Sequence, residues 1–179
     1  MAAAPAITLD IGCGKKKQEA LAIGVDRQPG SAADVIADLA CFPWPFQDSC
    51  ASRVYLSHFV EHQPDILRVM AEVYRVARPG AEVLMVTPHF SSPDSYTDPT
   101  HHFHLGYHSF DYFTGQSFSD FTYNFGGFEI LDRRLEFGSN FLLDNLGRMA
   151  AGISIDFYEK HLAWIFPGRN LYCRLRTVK

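Results

Sequence analysis

The chain has 179 residues, enough for one domain with a continuous core, and its 47% hydrophobic and 20% charged content excludes a disordered tail. A net charge of -4 offers no general positive field, which counts against nucleic acid as a partner and against an anionic membrane surface. The four cysteines (Cys13, Cys41, Cys50, Cys173) form no C-x-x-C pair, so neither a zinc knuckle nor a disulfide framework is expected.

The N-terminus lacks a basic start followed by an apolar run, and no stretch approaches the ~20 apolar residues that span a bilayer, so a cytoplasmic protein is expected. Ala6 to Ile11 is an apolar run ending in a glycine turn, and Leu21 to Val25 is a second run ending in an acidic residue. Both read as buried strands. Asp34 to Ala37, Arg53 to Ser57 and Glu82 to Thr87 continue the series. Between the last two, Ile66, Leu67, Met70, Val73, Tyr74 and Ala77 recur at helical spacing, and Pro79-Gly80 stops the run. Phe128 to Leu135 and Leu171 to Thr177 read as strands of an antiparallel edge, with helical character near Asp144 to Met149 and Tyr158 to Ile165. Strands alternating with crossovers predict an α/β fold, a Rossmann-like doubly wound sheet that is mostly parallel with an antiparallel edge. Only Lys15 to Ala20 separate the glycine turn from the second strand, which predicts a shortened first helix. Residues 1–179 form a single domain on this reading, with a substrate-side loop or lid region at about 91–125. Lys15 to Lys17 read as a solvated turn.

Strand, glycine turn and acidic strand end together suggest a nucleotide site, because glycine lets backbone N–H groups approach a ligand and a carboxylate can accept ribose hydroxyls. Here the turn is Leu9-Asp10-Ile11-Gly12-Cys13-Gly14 and the carboxylate is Asp26. Lys17 stands where a dinucleotide fingerprint wants its third glycine, and a shortened helix has little dipole for a pyrophosphate, so a phosphate-free cofactor is favoured. On these residues, with Ala37-Asp38-Leu39, Pro43-Trp44-Pro45-Phe46, SHFVEH, EVYRVARPGAEVLMVTPH and DPTHHFH in the same order and spacing, the chain resembles the class I S-adenosylmethionine (SAM) dependent methyltransferases, of the small methyltransferase-domain type. It departs from them at Ala51 and Ser52, where a large apolar residue and an aspartate are usual.

The resemblance implies SAM as cofactor, with Asp10, Gly12 and Gly14 along its methionine and ribose portion, Asp26 on the ribose hydroxyls, Asp38 and Leu39 beside the adenine, and Ser57 and His58 beside the sulfonium. It implies methyl transfer to an oxygen or nitrogen of a small molecule, a sugar or secondary metabolite. The alternative is a methyltransferase-like binding or partner protein without turnover. His89, His101, His102, His104 and His108 crowd the segment after the fifth strand, where such sheets open toward ligands. Imidazole can take a proton from an acceptor, so His101, oriented by Asp98, is the candidate catalytic base and His58 the second candidate. A metal on His101, His102, His104 and Asp98 lacks the i, i+4 histidine pairing of a zinc signature, and no metal ligand is assigned. His62 and Glu61 read as local contacts of a helix start. The aromatic set Tyr96, Phe103, Tyr107, Phe110, Tyr112 and Phe113 reads as the core of a lid. The sequence leaves the acceptor and the oligomeric state open.

Overall fold

The computed structural model describes residues 7–114, 127–138 and 141–179. Seven strands form one sheet: β1 (Ile7–Ile11), β2 (Ile23–Asp26), β3 (Val35–Ile36), β4 (Ala51–Ser57), β5 (Ala77–Pro88), β6 (Gly127–Phe137) and β7 (Gly168–Val178). Their spatial order is β3-β2-β1-β4-β5-β7-β6. The first five pair in parallel, while β7 runs antiparallel to both β5 and β6. This is the mostly parallel, Rossmann-like α/β sheet with an antiparallel edge that the strand spacing predicts.

Helix α1 (Ile66–Val76) connects β4 to β5. Asp65 caps its start, a side-chain oxygen accepting the Arg68 N–H at 3.0 Å. Its buried face is Val69, Met70, Val73 and Val76, all without exposed surface. The run ends at Val76, before Pro79, because Arg78 precedes a proline and is biased to extended backbone; Ala77 already belongs to β5.

The strand register separates two kinds of surface. Leu9, Val54, Val83 and Leu175 lie in one row, and Ile11, Leu56, Met85 and Cys173 in the next; all are fully buried in the core that α1 and Trp44 complete. The opposite pleat carries Thr8, Arg53, Glu82 and Arg176 in one row. Arg53 reaches Glu19 at 3.3 Å and Glu82 at 3.8 Å, and Arg174 reaches Glu82 at 3.9 Å. The first crossover, predicted to be short, contains turns and no helix.

The segment Phe42 to Ser49 is tied to α1 by Arg75. Its guanidinium donates to the Phe46 and Trp44 carbonyls at 2.8 and 3.0 Å, to Asp48 at 2.6 Å and to Glu72 at 2.8 Å. Glu72 in turn accepts the Trp44 N–H at 2.7 Å.

After β5 come a short helix α2 (Asp94–Thr97) and a 3-10 turn at Asp111–Phe113. Between β6 and β7 lie α3 (Phe141–Ile153), α4 (Ile155–Phe157) and a π turn at Tyr158–Leu162. Part of the expected loop region at 91–125 falls outside the described residues. All four cysteines are free thiols, with Cys13 and Cys173 buried and Cys41 exposed. Among the described residues no helix is long and apolar enough to cross a membrane.

Candidate active site

β1 ends at Ile11, and the chain turns through Gly12 (φ 70°) and Gly14 (φ 56°), a left-handed backbone that glycine adopts without strain. The Gly12 and Cys13 N–H groups both donate to the Val25 carbonyl, at 2.8 and 3.2 Å, which stitches the turn to the end of β2. Asp26 braces it from the other side. One carboxylate oxygen accepts the Gly14 N–H at 2.9 Å and the other the Gln28 N–H at 2.8 Å. A single N–H per oxygen leaves lone pairs for further donors, and the carboxylate is only half-buried.

Asp10 is buried and accepts the Gln18 N–H at 2.5 Å. Burial pushes its carboxyl above the usual range, against the pull of that N–H and of the Lys17 charge. Lys17 is no solvated turn residue. Its stem crosses over Gly24, where an added Cβ would lie 2.9 Å from Lys17 Cδ, and its ammonium donates to Asp34 at 2.9 Å and to the Ala22 carbonyl at 3.0 Å. Its hydrogen bond holds the Asp34 carboxyl below its ordinary range.

Gly12 is needed for a second reason that the sequence did not disclose. A Cβ there would lie 2.5 Å from a ring carbon of Phe59, so this chain's own aromatic ring occupies the space above the turn. By contrast, nothing lies within 4 Å of a Cβ at Gly14, and that side of the loop is open. Asp38 is exposed and accepts the Ala40 N–H at 3.0 Å in a local turn. Leu39 points into the core, and its carbonyl accepts the Trp44 indole N–H at 3.0 Å. Ser57 ends β4, half-buried.

The turn after β4 is unusual. His58 has φ 51°, which costs a non-glycine residue roughly 1–2 kcal/mol and marks a constrained position. Its ring is half-exposed, with Nδ1 3.3 Å from Glu61. Glu61 is 1% exposed and neither of its carboxylate oxygens has a hydrogen-bond partner. The His58 contact is close enough for charge but not aligned for a bond. The turn is joined to the segment after β5 by the His102 N–H, which donates to the Glu61 carbonyl at 2.7 Å. This brings the His62 and His101 rings edge to face, 4.5 Å apart. His101 Nδ1 lies 3.0 Å from the Ser95 carbonyl, so that carbonyl, and not the Asp98 carboxylate, orients the ring. Asp98 instead accepts the Thr100 N–H at 2.8 Å and the Thr100 hydroxyl at 2.7 Å, and those two bonds lower its carboxyl below the ordinary range.

His89, His104 and His108 have structural partners. His89 is fully buried between Ser91 (2.7 Å) and Glu159 (2.9 Å), pinning the end of β5 to the π turn. His104 stacks on Tyr96 and meets the Ser95 hydroxyl at 2.9 Å, and His108 meets Asp111 at 2.6 Å. Of the aromatic set, Phe110 and Phe113 are buried and Phe103 and Tyr107 pack on the main core, while Tyr96 and Tyr112 stay exposed. Glu61, His62 and Phe59 are the residues that sequence reasoning missed; a carboxylate–imidazole pair one turn beyond a strand's C-terminal end was the available signal.

The sheet order and the glycine turn at the C-terminal ends of β1 and β2 agree with comparison to known proteins. A model of a methyltransferase domain matches residues 9–85, from Leu9 within β1 to Met85 within β5. Over those residues the chain is similar to a methyltransferase domain. A SAM-dependent methyltransferase from Archaeoglobus fulgidus shares the fold with a TM-score of 0.60 and 20% identity, over 96% of this chain and 86% of that one. A putative methyltransferase from Bacillus halodurans gives 0.57 and 15%, over 96% and 92%. The [4+2]-cyclase SpnF gives 0.62 and 15%, over 97% and 74%, so one fold serves more than one reaction. No curated protein matches the chain in sequence.

SAM is the cofactor that this similarity implies. The open side of Gly14 and the spare lone pairs of Asp26 fit its ribose end, while over Gly12 the Phe59 ring bounds the space from within.

Proposed function

We propose that the chain transfers a methyl group from SAM to an oxygen or nitrogen of a small molecule, a sugar or secondary metabolite. The observation that supports this best is convergence. The Gly14–Asp26 cradle and an imidazole-rich turn stand at the C-terminal ends of neighbouring strands, where open α/β sheets bind ligands. When bound, SAM supplies a sulfonium methyl that is already strongly electrophilic.

The protein's own residues bind, orient and accept protons. Asp26 takes the ribose hydroxyls, the backbone of Asp10, Gly12 and Gly14 lines the ribose and methionine portion, Asp38 with the backbone of Leu39, whose side chain is in the core, flanks the adenine, and Ser57 stands at the reacting end. His58, His101 and, through Thr100, Asp98 form the acceptor side, where an imidazole lone pair meets the acceptor's hydrogen. A SAM-consumption screen against sugars, phenols and amines tests the reading; a hit fixes the acceptor class. The turn-only first crossover favours a second reading, a binding or partner protein without turnover. Calorimetric SAM binding with no consumption across the panel would select it.

A further inference from the structure

We propose that Glu61, His62 and His101 form a binding site for one divalent transition-metal ion. One donor atom from each lies within 4.8 Å of the other two, a spacing that a single ion can span. No such set was expected from the sequence, since Glu61 and His62 leave the turn after β4 and His101 comes from the segment after β5.

Two independent features prepare these side chains for an ion. Glu61 is buried with neither carboxylate oxygen hydrogen-bonded and only the His58 ring, 3.3 Å away and not aligned for a bond, beside it, an arrangement that burial penalises and a bound cation would complete. Both imidazoles are oriented through their other nitrogen. The Thr100 hydroxyl donates to Asp98 at 2.7 Å, so at 2.8 Å from His62 it accepts from Nδ1–H; the His101 Nδ1–H donates to the Ser95 carbonyl. Each ring therefore presents a bare Nε2 lone pair, and hydrogen bonds of this kind, to a carbonyl or through a hydroxyl to a carboxylate, are how ligating histidines are held. Asp98, expected to position a base, instead fixes the tautomer of His62.

Two imidazoles and one carboxylate suit zinc, cobalt, iron or manganese better than magnesium or calcium, which prefer oxygen donors. Three protein ligands leave a coordination position open. That position, beside the half-exposed His58, suits an acceptor offering a hydroxyl or amine; with the ion bound His101 is a ligand and His58 alone is the base, a step that rests on the methyl-transfer reading, whereas the ion site does not.

The test is a Co²⁺ titration of the full chain after dialysis against chelator, read by visible absorption, with Zn²⁺ as competitor. One equivalent of Co²⁺, displaced by Zn²⁺, is expected. Glu61→Gln and His101→Ala should each weaken Co²⁺ binding more than about 100-fold, and Thr100→Val, which removes only an orienting contact, about 10- to 100-fold. His104→Ala should leave it unchanged. If Glu61→Gln fails to fold by circular dichroism, His101→Ala at its half-buried position still decides. Uptake well below one equivalent, or equal uptake by wild type and His101→Ala, overturns the site. SAM calorimetry on the same metal-free samples keeps the two proposals apart. SAM binding without Co²⁺ uptake overturns the ion site alone, and Co²⁺ uptake without SAM binding overturns the reaction alone.

Discussion

The ring of Phe59 lies where a side chain at position 12 would go, so substitutions there act on packing as well as on the cofactor. Gly12→Ala should cost about 2–4 kcal/mol in urea unfolding, combining overpacking with an unfavourable positive φ. Gly14→Ala, with open space around it, should cost only about 1 kcal/mol. Adding Phe59→Leu to Gly12→Ala should recover part of the loss, a coupling a double-mutant cycle would measure; strict additivity would mean the ring is not the obstacle. Asp26→Ala removes the proposed ribose acceptor and two backbone braces together. SAM affinity should fall at least about tenfold, and Asp26→Asn, which keeps one acceptor oxygen, should fall less. Equal affinity in wild type and Asp26→Ala by calorimetry would remove this loop from cofactor binding. The glycine turn and Asp26 were legible in the sequence because strand ends and glycines are local signals. Phe59 was not, because its contact joins two turns 47 positions apart in the chain.

Arg75 is the residue through which α1 holds the segment that precedes β4. It is a quarter exposed, and its neighbours Glu72 and Asp48 raise its pKa further above the ordinary arginine value. Its hydrogen bond also keeps the Glu72 carboxyl below the usual glutamate range, against the opposing effect of burial and with help from the Trp44 N–H. A carboxyl depressed in the folded state adds stability above its unfolded value of about 4.3, and that stability is lost as pH falls through the lower folded value. The acid limb below about pH 4.3 should therefore be shallower in Arg75→Ala, whose stability at neutral pH should be lower by about 2 kcal/mol. An unchanged limb would assign the acid sensitivity to other carboxylates. The helix itself was readable from its apolar spacing, although its fully buried face is completed by Val69 and Val76, where the spacing alone points to Leu67, Tyr74 and Ala77. Helical character near Tyr158 to Ile165 was readable as well, but the π form of the turn at Tyr158–Leu162 was not. It forms because buried Tyr158 donates to the Phe166 carbonyl at 2.7 Å and Glu159 reaches His89, contacts set by tertiary position.

Across the whole sheet, one pleat is fully buried aliphatic core and the other is laced with half-exposed ion pairs. Burial dominates such a comparison. Leu56→Ala should cost about 2–5 kcal/mol, whereas each exposed pair is worth roughly 0–1 kcal/mol and is screened by salt. Raising sodium chloride from about 0.1 to 1 M, where the screening length falls from about 10 to 3 Å, should thus move unfolding free energy far less than Leu56→Ala does. A larger salt effect would mean that the charged pleat carries the fold. All seven strands and their parallel-to-antiparallel change were legible in the sequence, since apolar runs and turn residues recur along it. The pairing of Glu61 and His62 with His101 was not, because it depends on the turns after β4 and β5 meeting at the C-terminal ends of these central strands.

Phe59 also stands between the glycine turn and the proposed ion site. It packs on Gly12 of the cofactor turn and stands two residues before Glu61, so whatever orders one turn is felt by the other. Linkage then imposes a reciprocity: the factor by which SAM changes the affinity for Co²⁺ must equal the factor by which Co²⁺ changes the affinity for SAM. Truncating that one ring to Leu should bring both factors toward unity together, leaving two sites that no longer sense each other.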